Sequence, residues 1–458
     1  MLTLRLLLFL FVAATSNAHA IELAFENITV LDPATESSQA GTLLVRNGHV
    51  VGLVDSVPSD FQGRRIDLGG RWVIPGLVDM HTHAGGNRSP DGQIQFMTPA
   101  QVAQIALYAG VVAYLDLFNV GEDFVFGFRN EQRQTGVAAK IYAAGPCLTA
   151  TDGHCTEYGF PTRIVNTPAD ARREIDELAR KAPDVIKVVY ATGGVALQPT
   201  IDRQTLDAVV TIAREHGLKT VVHVESWGDV RDSVLAGAAA VTHTPFNTPP
   251  PDIAPLMIKH GTVHIPTLVV QNDIVGIVEE PALLDDELLV DVVMGSLLDA
   301  YRGNYPAQME GWLSWSRRHK ETDALAIRML SSAGVPMLTG TDASNLGAFQ
   351  GYSVHRELEL LVAAGLTNWE ALRAGTTAPR DFLDGRWGVS VGDEATFVVL
   401  NGSPLDDIRN TKRIHMVVQH GTIVDRNALL SSGLGCTARS IAEIDFETLS
   451  CTPQNQPQ

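Results

Sequence analysis

His81-Thr82-His83 is the clearest chemical signal in the sequence. In an extended strand, residues two apart face the same way, so both imidazoles would point to one side. Neutral imidazole ligates zinc and similar cations, but one His-x-His in a chain with 14 histidines is weak evidence by itself. The weight comes from Lys187, His223, His243 and Asp342, each at or near the C-terminal end of a β-rich run. Barrel enzymes built on parallel strands gather their working groups at that face. Chance rarely places six ligand-type His, Lys and Asp residues at such strand ends.

The runs that must position these residues are 77–83, 111–117, 140–149, 185–190, 219–225, 240–243, 262–269 and 335–342. Helical patterns fill the gaps. One spans 168–181, opened by Thr167 as cap and Pro168 as first helical residue; another spans 202–216 and is closed by Gly217. Repeated β then α implies parallel strands with helical crossovers, and 77–342 is about the length of a (β/α)8 TIM-type barrel. The stretch 271–321 exceeds a simple crossover and is expected to lay extra helices over the barrel mouth. Short β-rich runs flank the barrel at both ends, with turns such as Asn47-Gly48. The expected plan is a signal peptide at 1–20, a composite β-sandwich from 21–74 and 385–427, a barrel at 75–384 and a tail at 428–458. The tail reads as an appendage held by Cys436 and Cys451.

The chain resembles the amidohydrolase superfamily, and specifically its imidazolonepropionase-like branch, which includes Xaa-Pro and Xaa-Arg dipeptidases. The motifs that carry the resemblance are Val73-Ile-Pro-Gly-Leu-Val-Asp-Met-His-Thr-His83, Asp184-Val-Ile-Lys187, Val222-His223, Val241-Thr-His243 and Gly340-Thr-Asp342-Ala. Further matches run through Glu357-Leu-Glu-Leu-Leu-Val-Ala-Ala-Gly-Leu366 and Glu370-Ala-Leu-Arg-Ala-Gly-Thr376. The resemblance implies that His81, His83 and Asp342 hold one metal and His223 and His243 a second. Lys187, carboxylated by carbon dioxide, would bridge the two. Zinc is the expected metal, with manganese the other candidate. The two cations would share a hydroxide, and Asp342 would carry its proton to the leaving nitrogen.

The implied reaction is hydrolysis of an amide bond in a dipeptide or small N-acyl amino acid. A lactam, lactone or phosphoester on the same centre is the alternative, and a non-catalytic barrel scaffold is the rival from a different class. The sequence departs from the family around its expected substrate loops, at Thr151-Asp-Gly-His154-Cys, at Thr242 and at Glu225-Ser-Trp227. His154 and Tyr190 are the substrate-binding candidates, with Arg163 a further donor for a substrate carboxylate. Trp227 and Phe246 lie just beyond expected ligands and are candidates for a pocket wall. His264, His319 and His355 carry no assigned role.

The composition, 45% hydrophobic and 19% charged over 458 residues, is that of a globular chain. A net charge of −18 with no basic stripe excludes a nucleic-acid partner. Arg5, the apolar run 6–14 and Ala18-His19-Ala20 form a secretory leader, and its apolar run is far short of the ~20 residues that a membrane anchor needs. The expected location is periplasmic or secreted, where disulfides persist. Four cysteines allow three pairings, and neighbours in sequence are favoured, Cys147 with Cys155 and Cys436 with Cys451; a metal-ligand role for Cys155, beside His154, is the other reading. A homo-oligomer stays open. The intact mass of the mature protein should therefore correspond to a chain beginning at Ile21 with four hydrogens missing. Free thiols in freshly isolated material would refute the oxidised pairs.

Overall fold

Runs of Val, Ile, Leu and Phe at both chain ends pair into one nine-stranded sheet. In the computed structural model, which describes residues 22–119, 121–136, 138–193, 198–431 and 433–451, its order begins Trp387–Gly388, Glu394–Ala395, His49–Val54, Ser37–Arg46 and Glu22–Asp32. It continues through Arg64–Pro75, Phe397–Leu400, Ile414–Gln419 and Thr422–Ile423. The expected signal segment and its cleavage point lie outside the described residues. Glu394 pairs with His49, whereas Phe397 pairs with Pro75 on the far side of the sheet. Only Thr396 separates the two pairings completely, so the sheet curls round until its flanks meet there. The segments expected to form a β-sandwich thus hydrogen-bond into a single curled sheet. Its inner face buries Phe25, Leu43, Val73, Phe397 and Val418, with the rings of Phe25 and Phe397 edge-on at 5.2 Å.

Between these ends lie seven parallel strands: β1 (Leu77–Thr82), β2 (Val111–Asp116), β3 (Lys140–Ala143), β4 (Val185–Val189), β5 (Lys219–His223), β6 (Ala240–Thr242) and β7 (Val263–Ile265). They form two sheets, β1-β2-β3 and a larger one containing β4-β5-β6-β7. Asp184 bridges the first gap, its N–H donating to the Ala143 carbonyl at 2.9 Å and its carboxylate accepting from Ala143 N–H. The expected strand at 140–149 is broken into Lys140–Ala143 and a separate Leu148–Thr149, and 262–269 shortens to β7.

The expected eighth strand, 335–342, is not a regular strand, and the ring of strands is not one closed sheet. The segment still spans from β7 to β1 by scattered backbone bonds, Leu338 N–H to the His264 carbonyl and Met80 N–H to the Thr339 carbonyl at 2.9 Å, and His264 N–H to the Pro336 carbonyl and Thr341 N–H to the His81 carbonyl at 3.0 Å. Side chains add to these bonds. Asp79 accepts from the Thr341 N–H at 3.0 Å and hydroxyl at 2.6 Å, and Thr339 Oγ1 donates to the Val78 carbonyl at 2.8 Å. Gly340 permits the approach, because a Cβ there would lie 2.5 Å from Ile265 and 2.9 Å from His81.

The helices begin where their sequences provide caps. Thr167 and Asp170 form a reciprocal capping box at Pro168–Ala179, and Ser226 with Asp229 does the same at Trp227–Ala236. The long insertion does form helices, Val269–Glu279, Glu287–Val292, Gly295–Arg302 and Met309–Ser332. No helix of the described residues is long and apolar enough to cross a membrane. Disulfides join Cys147 to Cys155 and Cys436 to Cys451. The tail is more than an appendage: Cys436–Ala438 pairs with Ile94–Phe96, which pairs with Gly86–Arg88 in the loop after β1.

Glu357 fixes the turn that follows β7. Its buried carboxyl accepts the N–H groups of Leu268 and Val269, both at 3.0 Å. Burial pushes its pKa up to about 8 from 4.5, against the pull of those two N–H groups. The folded state therefore retains a proton that the unfolded chain releases near 4.5, and this contribution to stability is lost as pH rises toward 8. Glu357→Gln, whose amide N–H₂ must face one of the two donors, should destabilise by about 1–3 kcal/mol near pH 5. Thermal melts should show that deficit shrinking toward pH 8. A pH-independent deficit would mean that this carboxyl keeps one protonation state.

Candidate active site and metal centre

β1 carries His81 and His83 into a cavity of about 750 Å³ at the C-terminal ends of the parallel strands. Lys187 from β4, His223 at the end of β5, His243 just past β6 and Asp342 after the irregular eighth segment line the same cavity. Asp342 Oδ1 lies 2.8 Å from His83 Nε2 and 3.2 Å from His81 Nε2, and one ligand atom from each of the three residues falls within 4.8 Å of the others. The imidazoles of His223 and His243 stack obliquely on the other side, with centroids 4.4 Å apart, and Asp342 Oδ2 is 3.9 Å from His243. His243 and Asp342 both adopt left-handed backbone, at φ 75° and 52°. Such non-glycine conformations cluster at functional sites, where the surroundings hold them in place.

Three of the four histidines are oriented through Nδ1. His83 Nδ1 donates to the Phe118 carbonyl at 2.8 Å, His81 Nδ1 meets Thr242 Oγ1 at 2.6 Å, and His243 Nδ1 meets Thr267 Oγ1 at 2.9 Å. Thr242 thus orients His81 at the position where the sequence departs from the family. Thr267 belongs to the turn that Glu357 holds, so that buried acid reaches the site through one residue. The Nε2 atoms of His81 and His223 are buried without a hydrogen-bond partner. Orphaned polar atoms of this kind are costly, and a cation would satisfy both.

Burial, reinforced by neighbouring cationic groups, holds His81, His223 and His243 well below the usual imidazole range, so they are neutral and ready to ligate. Burial draws His83 down most strongly, but its hydrogen bond to Asp342 together with the charges of Asp342 and Asp116 outweighs this and its pKa is raised. Burial pulls Lys187 down to about 7, opposed only in part by Asp342. Around the ligands, Asp79 is pushed up to about 7 and Asp116 to about 6 by burial. Asp116 accepts from Ala84 N–H at 2.8 Å and from Asn119 at 2.7 Å, fixing the turn after His83.

Of the substrate-binding candidates, His154 reaches the cavity, its ring 4.6 Å from His223 and its Nδ1 2.7 Å from Glu157. Tyr190 does not. Three residues beyond Lys187 on an extended segment, it faces the opposite side, packs among the outer helices and donates to Asp232 at 2.8 Å. Arg163 is likewise occupied elsewhere, paired with Glu174 at 2.9 Å. Phe246 lines the cavity, whereas Trp227 is turned outward, its indole N–H bonded to the Asn247 carbonyl.

Sequence reasoning missed Arg88, which lines the cavity half-buried and lies 5.9 Å from the Tyr158 ring. It also missed His319, stacked on Trp315 at 4.5 Å and bonded to the Thr244 carbonyl at 3.0 Å. A signal existed for the latter: Trp312, Trp315 and His319 recur at helical spacing on the long mouth helix.

A model of the amidohydrolase family matches residues 72–424. An imidazolonepropionase of Pseudomonas entomophila is 24% identical over 282 residues, covering 54% of this chain and 68% of its own length. That of Pseudomonas aeruginosa is 43% identical over 249 residues, 47% of this chain and 61% of its own. The chain thus spans roughly two thirds of these relatives. The fold of a Xaa-Pro dipeptidase solved with bound methionine is similar, with a TM-score of 0.72 at 19% identity over 88% of this chain and 99% of that one. The chain belongs to the amidohydrolase family, metal-dependent hydrolases that act on carbon–nitrogen bonds.

Proposed function

We propose that this protein hydrolyses the amide bond of a dipeptide or N-acyl amino acid. The observation that carries the reading is the convergence of four neutral or Asp-paired histidines, Lys187 and Asp342 in one cavity that Arg88 also lines. His81, His83 and Asp342 would hold one metal ion, and His223 and His243 a second. Bound there, two divalent cations, zinc by this ligand chemistry, would polarise the scissile carbonyl and make water nucleophilic at neutral pH.

The chain's own groups do the remaining work. Lys187, with a pKa near 7, offers a neutral amine at physiological pH. That amine adds to carbon dioxide and releases a proton, and the resulting carbamate exchanges an ammonium for an anion between the two histidine sets. The Asp342 carboxylate, within 2.8 Å of His83, stands where it can take the proton of the attacking water and return it to the leaving nitrogen. Arg88 has no carboxylate partner among the described residues and binds the substrate's terminal carboxylate, the task that Arg163 and Tyr190 are not placed to perform.

Purified, metal-loaded protein should hydrolyse free-acid dipeptides, with kcat/KM falling about 10²-fold when their C-terminus is amidated. Equal rates on both forms would favour a neutral amide or lactam instead. Asp342→Asn should lower kcat by about 10²-fold or more, and Lys187→Ala should lose at least one metal equivalent by elemental analysis. Near-normal turnover in the first, or full metal content in the second, would remove that residue from its assigned role.

A further inference from the structure

The wall beside Arg88 is a small antiparallel sheet whose third strand comes from the C-terminal tail. Arg88 stands opposite Ile94 and Ile94 opposite Ala438, while Gly86 stands opposite Phe96 and Phe96 opposite Cys436. Directly opposed residues share a face, as do residues two apart on one strand. Arg88, Ile94 and Phe96 all line the cavity, so this face is its wall. Ile441, Ile444 and Phe446 extend the same apolar surface, with Phe446 edge-on to Phe96 at 5.6 Å.

The tail is fitted closely to this place. Gly435 has φ +82°, and a Cβ there would lie 1.9 Å from the Phe96 carbonyl oxygen. Gln95 donates to the Leu434 carbonyl at 2.9 Å, and the disulfide Cys436–Cys451 closes the loop that carries residues 441–446.

We propose that this tail is the specificity wall of the cavity, a subsite for a large aromatic or branched aliphatic side chain on the residue that bears the free carboxylate. The inference rests on the amide-hydrolase reading above. In an amino acid the carboxylate and side chain branch from one Cα, so a carboxylate held at Arg88 delivers its own side chain to the neighbouring apolar face. A side chain such as phenylalanine buries its area against Phe96, Phe446 and Ile444. An acidic side chain would be desolvated there against apolar groups.

The test compares kcat/KM for Ala-Phe and Ala-Ala in the wild type, Phe446→Ala and Gly435→Ala, with calorimetric binding of L-phenylalanine to each metal-loaded protein. The wild type should favour Ala-Phe by about 10–100-fold, the preference expected from burying one large apolar side chain. Both variants should cut that ratio about tenfold, mainly through KM, and weaken L-phenylalanine binding. An unchanged ratio in both variants, or a wild type without preference, overturns the subsite. Absence of dipeptide hydrolysis together with L-phenylalanine binding that Phe446→Ala weakens would keep the subsite and discard the hydrolytic reading. Absence of both hydrolysis and binding overturns the two together.

Discussion

The carboxylate of Asp79 is buried between two backbone segments joined by isolated backbone bonds but by no regular strand pairing. One oxygen accepts the N–H of His81 and of Thr341, and the other the Thr341 hydroxyl. These bonds stitch the first barrel strand to the last, where regular pairing fails, and they set the distance between the His81–His83 pair and Asp342. The site depends on that seam, because its first ligand cluster draws on residues 261 positions apart in the chain, as Asp342 and His81 show. A shift of one residue at the seam would turn His81 and His83 away from the cavity and onto the opposite face.

The cavity gathers donors while avoiding charge. Three of its imidazoles are held neutral by burial, and Lys187 loses much of its preference for the ammonium form for the same reason. Water-facing groups of the same types would carry protons near neutrality and repel a dication. Low dielectric, which makes unpaired polar atoms expensive, is also what keeps lone pairs available. The outer nitrogens are tied to Thr242, Thr267 and the Phe118 carbonyl, so the rings do not need to reorganise when the inner nitrogens find a cation.

The convergence of His81, His83, Lys187, His223, His243 and Asp342 on one cavity was legible in the sequence because strand periodicity and short motifs are local: His81 and His83 differ by two, and the others fall at or near the ends of β-rich runs. The substrate side was not. Tyr190 looked plausible by its distance in sequence from Lys187, yet an odd spacing on an extended chain reverses its direction. Arg88 became visible only through its place in the cavity wall without a carboxylate partner among the described residues, which is a property of three-dimensional neighbours. The eighth strand read as regular because its Val, Met and Leu have β character; side-chain substitution for ladder bonds by Asp79 and Thr339 leaves no such trace. The tail's weak pattern was read as that of an appendage, whereas its order comes from Gly435 and from pairing with residues some 340 positions earlier, as the bond from Gln95 to Leu434 shows.

The curled sheet is laced from both ends of the chain, since Glu394 and Phe397 pair with strands of the first eighty residues. The cavity wall, in turn, uses residues 441–446, close to the last described position. A chain still emerging from the ribosome or a translocation pore can form βα units but can complete neither the sheet nor the wall. A chain cut short before residue 441 would keep the parallel strands while lacking this part of the cavity wall.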